Sequence, residues 1–223
     1  LTEALRGLSI KFKEIKIMSM ILSDWVLVED QVAASNTYFA AAQIPNAAGG
    51  LAFTIANTTL AATHNDGVVN LTITMAGGAD NGKFCTITGT DSDGAVQTEV
   101  ITAAGGAATV AGALLFKTVT SAVVNTEPAA NISIGFGTAR GMKLGGPGTF
   151  GTYKVNSGDT AGTVFFRTGS TAGTILSKEL TDGTPGSVTG EIKSPTGGVR
   201  LPNGFYVTYA LDVTDQIIVF YTG

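Results

Sequence analysis

Cysteine and histidine are almost missing from this 223-residue chain: Cys85 and His64 are the only examples of each. One cysteine excludes a disulfide within the chain and any zinc site built on several thiolates. Cys85 lies in an apolar run, where it reads as a small hydrophobe. His64 precedes Asn65-Asp66-Gly67 and reads as an exposed loop residue, since a metal centre or an activated nucleophile would need a second histidine or a reactive thiol beside it. Charge is scarce too. Asp, Glu, Lys and Arg make up 13% of the chain, against about a quarter in ordinary soluble domains. A net charge of −4 and a pI near 4.9 provide no basic field, so direct nucleic-acid binding is not expected. Long hydrophobic runs are also lacking. Ile15 to Val28 is the most apolar stretch, but Lys16 and Asp24 interrupt it, and it is too short and broken to span a bilayer. Asp24 and Glu29-Asp30 also argue against a signal peptide, and the folding environment that fits one free thiol is the reducing cytoplasm.

What is abundant is Gly, Ala and Thr, with strings of Val, Ile and Phe that argue against disorder. From Leu51 onward, short β-prone runs alternate with turn residues, the texture of all-β sandwiches and barrels. Expected strands are 51–57, 68–75, 83–90, 96–103, 114–124 and 131–137, then 150–155, 161–168, 173–180, 186–193, 204–210 and 216–221. In the second run Val69, Leu71, Ile73 and Met75 alternate with Asn70, Thr72 and Thr74, which predicts a strand with one buried face. Asp66-Gly67, Asn81-Gly82, Asp93-Gly94, Asp182-Gly183 and Asn203-Gly204 supply turns, and Asn81-Gly82 and Asp93-Gly94 read as hairpins. Glycines crowd around Pro147 in 141–148, which predicts a boundary between two antiparallel β-sandwich or barrel-like domains, 51–140 and 141–223.

Residues 1–50 read as an N-terminal arm. Leu1, Leu5, Leu8, Phe12 and Ile15 recur at helical steps, the Ala-, Asn- and Gly-rich stretch 30–50 reads as an arm or linker, and removal of residues 1–50 should leave both β domains folded while weakening assembly. Lys13-Glu14 can be encoded as AAG-GAG three codons ahead of Met18. Residues 1–17 therefore read either as a translated leader or as part of a processed or fused arm. The closing run, Ile217, Ile218, Val219, Phe220 and Tyr221, is apolar on both faces of a strand and must be covered, by the interior or by another subunit. It is the candidate assembly surface. Phe220→Asp is expected to destabilise the second domain and to spare the first, if the glycine-rich segment uncouples them.

Motifs for chemistry are weak. Gly77-Gly-Ala-Asp-Asn-Gly82-Lys83 matches most of a phosphate-binding loop, but Phe84 stands where Ser or Thr would hold magnesium and a strand follows in place of a helix. Gly146-Pro-Gly148-Thr-Phe-Gly151 fits a dinucleotide fingerprint by letters alone, without the strand-helix-strand setting. Asp91 and Asp93, with Glu99 further on, could face a calcium ion, but Gly94 makes a turn the simpler reading. No carboxylate pair stands out for glycosidase chemistry. Asn57, Asn70 and Asn131 open formal glycosylation triplets that a Thr-rich chain produces by chance. No catalytic residue, metal or cofactor is expected, and an enzyme is disfavoured.

The run Cys85-Thr-Ile-Thr-Gly-Thr-Asp-Ser-Asp-Gly94, with Gln97-Thr-Glu-Val-Ile-Thr102 and Phe116-Lys-Thr-Val-Thr-Ser121, resembles a Thr- and Gly-rich β module of tailed-bacteriophage virion proteins, over residues 51–140. Val199-Arg-Leu-Pro-Asn-Gly-Phe-Tyr-Val207, together with Ile218-Val-Phe-Tyr221, is similar to the ending of small phage structural proteins. The resemblance implies a non-enzymatic virion component: a capsid decoration or cement protein, or a neck, tail or head-fibre attachment protein. Its partners would be other virion proteins, the major capsid protein first, and copies of itself, with no membrane and no direct nucleic acid. A receptor- or glycan-binding module is the reading of a different class. The scarcity of aromatic platforms, with Trp25 the single tryptophan, weighs against it.

Overall fold

The computed structural model describes residues 25–28, 34–60, 67–104, 108–144, 148–156, 161–168, 173–184, 188–191, 199–201, 205–210 and 216–222. The expected helix over residues 1–15, His64, Asp66 of the Asp66-Gly67 turn and the Asn203-Gly204 turn lie outside these. The described chain is all β, and every paired strand is antiparallel to its neighbour. In chain order the strands are β1 (Trp25–Val28), β2 (Ser35–Gln43), β3 (Val68–Met75), β4 (Phe84–Thr90), β5 (Val96–Thr102), β6 (Thr109–Phe116), β7 (Thr118–Val124) and β8 (Ile132–Leu144). There follow β9 (Gly148–Asn156), β10 (Thr163–Thr168), β11 (Ile175–Leu180), β12 (Val188–Glu191), β13 (Val199–Leu201), β14 (Phe205–Ala210) and β15 (Gln216–Thr222).

The described strands form three sheets. The largest runs β11-β10-β14-β8-β3-β6 with β2 joined to β8; a three-stranded sheet runs β5-β4-β7; the third runs β1-β15-β9-β12 with β13 on β9. β8 runs from Ile132 to Leu144, through the start of the glycine-rich segment, and its last six residues pair with β14 while β3 pairs along its other edge. Strands of both expected series therefore share one sheet.

The main core lies between the three-stranded sheet and the β2-β8-β3-β6 part of the large one. Ile87, Cys85 and Ile101 meet Leu71, Ile73, Phe116, Ile134 and Phe136 there, all buried. Alternation on β4 turns Cys85 and Ile87 inward and Thr86 and Thr88 outward, the pattern of a strand with one covered face.

Four local expectations need correction. Residues 35–43, expected as linker, form β2; Phe39 and Ala40 are fully buried, and Phe39 and Tyr38 meet Phe136 edge-on. Composition misled because two aromatic rings anchor a segment otherwise poor in bulky residues. β2 can press close to β8 because Gly135 has no side chain: a Cβ there would lie 1.7 Å from the Ser35 carbonyl oxygen. The run 51–57 makes no strand, only an irregular segment alongside β7 with isolated bridges at Ala52 and Thr59. The run 114–124 is two strands, because the chain turns at Lys117 from the large sheet into the small one.

β3, lastly, is buried on both faces, with Val68, Asn70 and Thr72 also covered. Asn70 is tolerated because its carboxamide spans two bulged neighbours, accepting from the Ala139 N–H at 3.1 Å and donating to the Gly112 carbonyl at 3.4 Å. Such partners offset the cost of burying a polar side chain.

Candidate functional site

The phosphate-loop match resolves into a structural corner. Gly78–Asp80 is one 3-10 turn, and Gly82 takes φ +80°. Asn81-Gly82 joins β3 to β4 in different sheets, so it is a corner and not the expected hairpin. Asp80 is fully buried; it accepts from the backbone N–H groups of Ala129 and Ala130 at 2.7 and 3.1 Å and pairs with Lys83 at 2.8 Å. Lys83 also donates to the Glu127 carbonyl at 2.7 Å. Burial alone would push the Asp80 pKa up, but Lys83 and the two amides outweigh it and hold the carboxyl below its ordinary value. The lysine that a phosphate would need is already committed.

Asp91 fits the turn reading. Its carboxylate accepts from the backbone N–H of Asp93 at 2.8 Å and of Ala95 at 3.0 Å, closing the β4–β5 hairpin around Gly94 at φ +80°. Glu99 is turned elsewhere, onto the N–H groups of Ala113 and Leu114 in β6 at 2.5 and 3.2 Å. Beside it Gln97 donates to the Leu115 carbonyl at 2.6 Å. These two side chains fasten β5 to β6 where no backbone ladder joins them. Among the described residues no group of three or more His, Cys, Asp or Glu side chains is placed to hold a metal. Cys85 is buried, and desolvation pushes its thiol up to about 12, so at neutral pH it is not a nucleophile. Asn70, in one of the formal glycosylation triplets, is buried with its amide engaged.

Ile217, Ile218, Val219, Phe220 and Tyr221 lie on β15, between β1 and β9. Ile217 to Phe220 are in register with Trp25 to Val28 on one side, and the strand pairs with β9 along its length on the other. The backbone of the candidate assembly strand is thus internal to its sheet.

The cavity that stands out among the described residues is a groove of about 410 Å³ that periodicity did not reveal. Gln97, Ala113, Leu114 and Leu115 form one wall; Thr163, Phe165 and Arg167 of β10, Thr208 of β14 and Ala139 of β8 form the other, with Arg140 and Tyr209 also at the site. Arg167 lies over the Phe165 ring at 5.0 Å and Lys178 of β11 over the same ring at 5.6 Å. Arg140 is buried and sits over Phe136 at 4.8 Å. Sequence spacing could have placed Phe165, Arg167 and Thr163 on one strand face. Only the pairing of β10 with β11 and β14 brings Lys178 and Thr208 directly beside Phe165.

No protein-family model, curated protein or solved structure matches the chain.

Proposed function

We propose that this protein is a non-enzymatic structural subunit of a tailed-bacteriophage particle, a capsid decoration or cement protein that folds in the host cytoplasm and then joins the virion. The observation that carries this reading is the outer face of the three-stranded sheet. Thr86 stands between Val100 and Val123, and Thr88 between Thr98 and Ser121. Val96 is 77% and Val100 56% exposed. No charged residue interrupts these rows. A pleated face of Thr and Val without charge suits burial against another protein better than permanent exposure to water. The major capsid protein is the partner it suits, with copies of the chain around it, and the low overall charge agrees. A neck, tail or head-fibre position would use the same face. The strand Ile217–Tyr221 would contribute through its faces only, since its backbone is paired.

Electron cryomicroscopy of purified particles should find this chain on the outer shell. Val96→Lys with Val100→Lys should leave the melting temperature within about 2 °C, since both side chains already face solvent, yet should prevent incorporation into particles. Normal incorporation of the double variant would remove the outer face from the interface, and absence of the chain from particles would end the virion reading.

A further inference from the structure

We infer that the groove between β5–β6 and β10–β14 is a binding site for a small ligand carrying an oxyanion, either the carboxylate of an acidic sugar or a phosphate group. Arg167 and Lys178 share the ring of Phe165, at 5.0 and 5.6 Å. An aromatic face stabilises the two cations side by side without neutralising them. Of the described residues that line the groove, none is acidic. Glu99, which is not a lining residue, accepts from the amides of the lining residues Ala113 and Leu114.

Arg167 lines the groove, and its guanidinium is only partly engaged within the chain. Its Nη1 donates to the Gly173 carbonyl at 3.3 Å, which fixes the plane, while its buried Nε–H has no acceptor. The Nε and Nη2 edge of a guanidinium is one that a carboxylate or phosphate meets with two parallel hydrogen bonds. A buried donor without a partner is costly, and a small rotation of the side chain that opened Nε to the groove would let an oxyanion satisfy it. Thr163, Thr208, Gln97, Arg140 and Tyr209 are the groove's further polar side chains, and Leu114 and Leu115 are among its apolar ones. A volume near 410 Å³ falls at the small end of the range for small-molecule sites. The site belongs to the isolated chain, whatever the chain's place in a particle.

Titration calorimetry of the whole chain at pH 7 and low salt tests it, with sodium glucuronate, inorganic phosphate and uncharged glucose as probes. Glucuronate or phosphate should bind with a dissociation constant of about 1 mM or tighter, weakening as salt is added, and glucose should not bind. Binding of glucuronate alone assigns an acidic sugar; binding of phosphate alone assigns a phosphate group. Arg167→Ala should weaken the bound anion about tenfold, and Lys178→Ala, at an exposed position that should not disturb folding, about threefold. Circular dichroism establishes that both variants fold. Failure of the wild type to bind either anion at about 10 mM, glucose binding as tightly as glucuronate, or unchanged affinity in both variants would overturn the site.

Discussion

The large sheet is held in two different ways along its width. At its β2-β8-β3-β6 end the three-stranded sheet packs on it through an apolar cluster: Phe39, Leu71, Ile73, Cys85, Ile87, Ile134 and Phe136 are buried together. At its β10-β11 end the link to the β1-β15-β9-β12 sheet includes a polar clasp. Tyr153 of β9 stacks on Phe166 at 3.9 Å, and its buried hydroxyl meets Ser177 at 2.9 Å and the Glu179 carboxylate. Burial, then the hydrogen bond and charge of Glu179, raise the phenol pKa, and the Ser177 hydroxyl works the other way. An apolar cluster tolerates many substitutions of similar volume. A buried clasp specifies one register, because losing any member strands another.

The largest effect should come from Phe136→Ala in the apolar end, since Phe136 touches both Tyr38 and Phe39 and supports Arg140. A loss of about 3–5 kcal/mol is expected from the vacated volume, measured by urea unfolding. Because β8 pairs with β3 and β14, the whole molecule should unfold in one calorimetric transition at a lower temperature. Two separated transitions would show instead that the glycine-rich segment uncouples the halves.

Next in size is Asp80→Ala, at the corner that ties the 78–83 turn to residues 129–130. Removing a buried carboxylate from Lys83 and two amides should cost about 3 kcal/mol. The folded-state pKa of Asp80 lies below the ordinary 3.8. Its contribution is therefore complete above the unfolded-state value and disappears as pH falls through the folded one. Stability of the wild type relative to Asp80→Ala should converge in strongly acidic solution and stay constant from pH 5 to 8, about the range where carboxylates are ionised. A difference that persisted unchanged into acid would separate the stabilisation from the carboxylate charge.

The smallest effect belongs to the clasp. Tyr153→Phe keeps the stack on Phe166 and removes only the hydroxyl, and Ser177 remains 3.2 Å from Glu179 as its partner. A loss of about 1 kcal/mol is expected. A loss as large as that of Phe136→Ala would mean that the polar end, not the apolar end, sets the stability of the sheet.

The positions of most strands were legible in the chain itself. Alternation marks β3 and β4, and the Asx-Gly pairs at 93–94 and 182–183 fall where Gly94 and Gly183 adopt positive φ. Period and turn chemistry are local, so they survive without knowledge of partners. The strands that escaped are those whose reason is distant. β2 is a strand because Phe39 finds Phe136, and β1 because it pairs with the far end of the chain at β15. The Asn81-Gly82 pair looked like a hairpin because its local chemistry is that of one, yet Asp80 reaching residues 129 and 130 makes it a corner.

By itself, then, the sequence determined an all-β antiparallel chain with few charges, an inert thiol and Asx-Gly turns, because strand period, desolvation and turn preference act within a few residues. Only the tertiary structure decided that β8 carries both strand series in one sheet, that Asn70 can be buried, that Phe165, Arg167 and Thr208 line a groove with Gln97, and that Lys178 lies against Phe165 beside it. Each of these depends on which strands become neighbours and in what register. A pairing energy between segments tens of residues apart leaves no periodic mark on either of them.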